Sequence, residues 1–309
     1  MHANTLYIIG NGFDLNHRLP TGYGHFKAYV RSHDPEVYDW VEDYVPAGEN
    51  WGDLEMALAY LDTDQIVSSL EHFMGSYADE NWSDSGHHDF QYEVDRVARG
   101  LGGALQKIFS EWVSTIQIPD AQNAQNRLIG LDINAIYLTF NYTSTLTRVY
   151  QVPAENILHI HGESIGPDSE LVLGHGWAPE ERTSLFDGLN HEDSDHRLIE
   201  AMKSLDDYFS ETFKPSKEII ERNTDFFAGL EKVDQIVVLG HSLSPVDAPY
   251  LSAVVQALEH TPVSWIVAVL PDDDLGEKTA LLEAIGVPSE QIRYRLWSAF
   301  HDVAPDEHR

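Results

Sequence analysis

Two residues far along the chain have the types and spacing to do chemistry. Asn141 follows the short apolar run "AIYLTF", Ala135–Phe140. His161 sits near the end of the next such run, "NILHIHG", Asn156–Gly162. An Asn just past a strand can hold a ribose hydroxyl or a water. A His near its ordinary pKa of about 6.5 suits the acceptance of a proton from such a group. This chemistry needs no thiol, and the chain has no Cys.

Two further stretches carry polar residues at strand ends. In "IIGNGFD", Gly10 and Gly12 can let backbone N–H groups approach a phosphate, with Asn11 between them. The pattern is not GxGxxG, because Leu15 takes the third glycine's place. Asp14 would repel a pyrophosphate at close range, so it is expected to face a hydroxyl or to cap the following backbone. In "VVLGHSLSPVDAPYL", Gly240, His241 and Ser242 close a strand, and a helix is expected near Asp247 or Pro249. Ser242 can bind a nucleotide ribose or phosphate. The G-x-S-x-G elbow of hydrolases does not fit, since Ser244 stands where its last glycine belongs. The spacing His159-x-His161-x-Glu163, with His175 as a further candidate, raises a metal site. No third ligand cluster accompanies it, and no metal is expected. Each of these motifs by itself also has a plain reading, a tight turn for the glycines and a packed histidine for His161.

The elements that must position them are short β-branched or aromatic runs. They are Thr5–Gly10, Ala135–Phe140, Asn156–Gly162, Leu171–Gly174, Gln235–Gly240, Ser264–Leu270 and Ile292–Trp297. Near-continuous hydrophobicity predicts a mostly parallel sheet covered on both faces, with ligands bound beyond its carboxyl ends. Over a hundred residues with mostly helical periodicity separate the first two runs. "TGYGHFKAYVRS" opens one helix on a Thr cap, and Trp51 of "WGDLE" either reaches the site or anchors a helix. A second polar helical stretch, including "NHEDSDHRLIEAMKSLDDYFSETF", is too charged for a core. The expected architecture is therefore one doubly wound, Rossmann-like α/β domain over 1–309. Helical insertions are placed at approximately 22–130 and 178–231.

Composition narrows the function classes. Asp and Glu number 51 against 19 Lys and Arg, a formal charge of −32. Such a surface repels nucleic acid, so direct binding through a basic face is not expected. It fits solubility or a saline habitat. No uninterrupted apolar run reaches the length of a membrane span. Before the first strand stands neither a basic nor a long apolar segment, so no leader is expected. The absence of Cys fits a cytoplasmic protein.

Taken in order, the glycine turn, the T-x-N strand end at Thr139 and Asn141, the "HG" at His161 and the "G-x-S-L" at Gly240 resemble the sirtuin-like NAD-binding fold. The fuller wording is similar to the bacteriophage abortive-infection AbiH family: "IIGNGFDLNHRLPTGYGHF", "WGDLE", "LTFNYTSTL", "HIHGE" and "LGHSLSPVDAPYL". The resemblance implies that Gly10, Asn11 and Gly12 lie on the pyrophosphate and that Asp14 and "LPTGY" cover the nicotinamide ribose. It further implies that Asn141 and His161 are the catalytic pair, and that Gly240, Ser242 and Asp247 hold the adenosine half. Sirtuins have a small residue where Asn11 stands and lack Asp14, and their zinc-binding cysteines are missing here.

The implied activity is NAD hydrolysis in an antiphage role, with NAD as substrate or ligand. The implied partners are NAD or a related nucleotide, a second copy of the chain, or a phage-derived trigger. Two alternatives stay open: a non-catalytic nucleotide-binding sensor or scaffold, and a hydrolase or transferase acting on another nucleotide.

Overall fold

A computed structural model describes residues 4–74, 88–124, 127–189, 194–259 and 261–301. They group into two compact units. One comprises residues 1–22, 113–171 and 216–309; the other comprises 23–112 and 172–215.

The first unit holds a six-stranded sheet: β1 (Thr5–Ile9), β2 (Ile136–Thr139), β3 (Ile157–His159), β4 (Gln235–Leu239), β5 (Ser264–Val269) and β6 (Ile292–Leu296). All neighbouring pairs are parallel, in the order β3-β2-β1-β4-β5-β6. β1 is buried along its whole length, and β4 is buried from Ile236 to Leu239. This is why both read as unbroken apolar runs rather than alternating ones. Tyr7, Ile9, Phe13, Tyr137, Leu146 and Leu239 belong to one core cluster, with the rings of Tyr7 and Tyr137 stacked at 5.0 Å. The strand order reverses between β1 and β4, the switch point at which doubly wound sheets bind ligands.

Four expectations need correction, three of them near the sheet and at the first long helix. Leu171–Gly174 is not a strand: of that neighbourhood only His175 forms an isolated bridge, to Phe213. An apolar run of four residues is too short for periodicity to separate strand from buried coil. β3 ends at His159, where Ile160 N–H bonds to the Thr139 carbonyl and Gly162 N–H turns back to the His159 carbonyl. His161 thus lies in a turn closed by Gly162 at φ 92°, and strand alternation with His159 does not extend to it. Finally, the first helix of the second unit starts at Tyr23. The Thr21 hydroxyl, expected to cap it, makes no hydrogen bond among the described residues.

The second unit is helical, with Tyr23–His33, Pro35–Tyr44, Thr63–Leu70, Asp89–Arg99 and His196–Glu211 as its main pieces. The last of these does contribute core, against expectation. Ala201, Leu205, Tyr208 and Phe209 recur at helical spacing and are buried, and Arg197 shares their face, bonded to the N-cap Asp195. The preceding residues 190–193 lie outside the described ones. Trp51 is fully buried and serves as an anchor. It packs on Phe26 and Tyr38, and its indole N–H donates to Glu42 at 2.7 Å. Glu55 accepts from Tyr23 and from the buried Lys214. Asp53 stands at the N-cap of Leu54–Ala57 without a capping hydrogen bond. Among the described residues no helix is long and apolar enough to cross a membrane.

Candidate functional site

The loops that leave β1 and β4 are locked together by backbone. Gly10 N–H donates to the Leu239 carbonyl at 3.0 Å and Gly12 N–H to the Gly240 carbonyl at 2.8 Å. A Cβ on Gly12 would stand 2.8 Å from Gly240 Cα, and one on Gly240, at φ 68°, would stand 2.2 Å from Phe13 N. The glycines are therefore required by the approach of two loops, and their amides are engaged within the protein. Between them Asn11 is exposed, and its side-chain amide donates to the Thr21 carbonyl at 3.0 Å, tying down the "LPTG" segment.

Asp14 begins the buried part of the site. It lies on the helix Asn11–Asn16, only 1% exposed, and faces hydroxyls supplied by the loop after β2. Thr143 donates to Oδ2 at 2.6 Å and Thr145 to Oδ1 at 2.7 Å. Burial pushes the Asp14 carboxyl up from 3.8 to about 6, against the pull of Thr143, Thr145 and the nearby Asn141 amide. Thr143 and Ser144 do open a helix, Thr145–Tyr150, but the Thr143 hydroxyl is turned to Asp14 rather than to the helix backbone.

Asn141 is held at both backbone ends. Its N–H donates to the Thr139 hydroxyl at 3.1 Å, and its carbonyl accepts from His159 Nδ1 at 2.9 Å. Its side-chain Nδ2 is buried and makes no hydrogen bond of good geometry among the described residues. The same amide lies close enough to the Asp14 carboxyl to draw its pKa down.

His161 and His241 flank one carboxylate. His161 Nε2 lies 3.7 Å from Asp247 Oδ1, and His241 Nε2 lies 3.5 Å from Asp247 Oδ2. Phe140 packs edge-on against both imidazoles, and Tyr250 against His161. Asp247 occupies the N-cap of the helix Ala248–Ala257, as expected, yet its side chain makes no capping hydrogen bond. Its carboxylate faces both histidines. Ser242 is exposed, with its carbonyl 3.4 Å from Lys278 Nζ.

The histidines raised as metal ligands have other work. His159 Nδ1 is taken by the Asn141 carbonyl, and its Nε2 lies 3.9 Å from Glu163. Burial lowers its pKa. His175, in the helical unit, donates from Nε2 to the Phe209 carbonyl and accepts the Trp177 N–H at Nδ1, with burial lowering its pKa to about 4. Among the described residues no three His, Asp or Glu side chains come together as a metal site.

Asp14, Thr139, Asn141, His161, Gly240 and Asp247 thus stand at the carboxyl ends of β1 to β4, with Thr143, Thr145 and His241 added by the structure. His241 was visible in "LGHSLSPVD", but nothing local marks a His six residues before a helix cap as its partner. The chain matches the family model described as bacteriophage abortive infection AbiH over residues 6–269. No curated protein and no solved structure matches it.

Proposed function

The chain belongs to the bacteriophage abortive infection AbiH family, and from that premise we propose that its antiphage role is exerted through hydrolysis of NAD at the nicotinamide–ribose bond. The observation that carries this reading is the convergence of a buried amide donor and buried carboxylates with His161 at the switch point of a doubly wound sheet. In the proposed reaction the C1′–nitrogen bond breaks and its electron pair leaves with neutral nicotinamide. Water adds to C1′, and its proton passes to His161. Asn141 Nδ2 orients the water or a ribose hydroxyl. The Asp14 carboxylate, behind two threonine hydroxyls, supplies negative potential toward the developing oxocarbenium charge.

A second reading, a nucleotide-binding sensor, is favoured by one set of observations. Asn141 and His161 are only 6% and 3% exposed, and the Gly10 and Gly12 amides are engaged by the β4 end. One experiment separates the two: NAD loss and nicotinamide release by the purified protein, beside Asn141→Ala and His161→Ala. The hydrolase reading expects turnover by wild type and a loss of roughly 100-fold or more in each variant. NAD binding by calorimetry without turnover, with biological protection intact in His161→Ala, rejects it in favour of the sensor.

A further inference from the structure

The loop after β4 carries one more assignment. Gly240 at φ 68° and Leu243 at φ 60° bend "GHSL" so that the Leu243 N–H donates to His241 Nδ1 at 2.9 Å. For Leu this left-handed conformation is unfavourable, and it persists only where the surroundings impose it. The consequence is chemical. Because His241 Nδ1 is an acceptor, the ring proton sits on Nε2, the nitrogen that faces Asp247 Oδ2 at 3.5 Å. The opposite oxygen, Oδ1, faces His161 Nε2. The Asp247 side chain does not cap the helix that it begins.

We propose that His241 is a positioning residue that holds the Asp247 carboxylate against His161, so that Asp247 stabilises the protonated imidazole of His161. In this arrangement Asp247 serves the base rather than the adenosine half of a nucleotide. Around His161 stand the rings of Phe140, Tyr142 and Tyr250, and the Asp247 carboxylate faces its Nε2. The relay rests on the hydrolase reading for its use but not for its existence, since every group in it belongs to the protein.

The test is NMR of protein labelled at histidine with 15N and 13C, without substrate, the two rings being assigned by His161→Gln and His241→Gln. In wild type, His241 is expected as the Nε2–H tautomer. In Asp247→Asn, which keeps the shape and removes the charge, the His161 titration midpoint is expected to fall by about one unit or more. His241→Phe removes the donor that holds Asp247 against His161 and is expected to lower that midpoint by roughly half a unit; a midpoint unchanged or raised in this variant overturns the positioning role. His241→Gln restores a donor and returns the midpoint to within about two tenths of wild type. An Nδ1–H tautomer at His241, or a His161 midpoint unmoved by Asp247→Asn, overturns the proposal. Failure of NAD turnover rejects the hydrolase reading alone, and an unmoved midpoint rejects the relay alone.

Discussion

Asp14→Asn tests the electrostatics of the site directly. The wild-type carboxyl is 1% exposed and its pKa is pushed up from 3.8 to about 6. A rise of about two units corresponds to about 3 kcal/mol. The sign follows from proton binding. Between the two values the folded state holds a proton that the unfolded state has released, so stability falls as pH rises. The contribution is fully favourable below about pH 4, is lost from about pH 4 to 6, and is flat above. Asparagine keeps an oxygen for one threonine hydroxyl, and the other hydroxyl can rotate to receive the amide. The remaining acidic residues titrate in both proteins, so the difference between them isolates position 14. Urea unfolding of wild type and Asp14→Asn should be followed by circular dichroism at half-unit steps from pH 3.5 to 7.5, at fixed ionic strength. Wild-type stability minus that of the variant should fall by about 3 kcal/mol across the series. A difference that is independent of pH, or that grows with pH, would refute the claim that desolvation outweighs the two threonine hydrogen bonds.

Two other perturbations test the framework. Gly240→Ala forces a Cβ to within 2.2 Å of Phe13 N at a backbone φ of 68°, so a loss of about 3 kcal/mol or more is expected, read as soluble yield and urea midpoint. A midpoint like that of wild type would mean that the two loops are not locked as described. Lys214→Met leaves Glu55 with Tyr23 as its remaining hydrogen-bond partner and should destabilise by about 2–3 kcal/mol, less than a fully buried pair because Glu55 is 22% exposed. The double variant Glu55→Gln/Lys214→Met should recover about half of that loss in thermal unfolding.

The Asp14 cluster shows how far local reading reaches into the site. The repulsion between a carboxylate and a pyrophosphate left two expectations for Asp14, a hydroxyl partner or a cap on the following backbone. The partners are Thr143 and Thr145, some 130 positions away in sequence, brought in because β1 and β2 are neighbours in the sheet. Asp247 was placed at a helix start by its type and by the following Pro249, and it stands there. What it does there depends on two imidazoles from the ends of β3 and β4.

By itself, the sequence determined the elements. Unbroken apolar runs became parallel strands, because a strand covered on both faces has no polar side to alternate with. Helical spacing in the insertions became helices, and Gly162 closed a turn. Two errors arose where local pattern underdetermines structure: Leu171–Gly174, too short to define a period, and His161, carried out of its strand by the Gly162 turn. Tertiary structure alone decided the use of the motifs. The amides of Gly10 and Gly12 are engaged by β4, the Asp14 carboxyl is shifted by burial, and His241 faces Asp247. Each depends on which strand ends lie side by side. That order is set by summed burial and loop closure over the whole chain, and no window of sequence contains it.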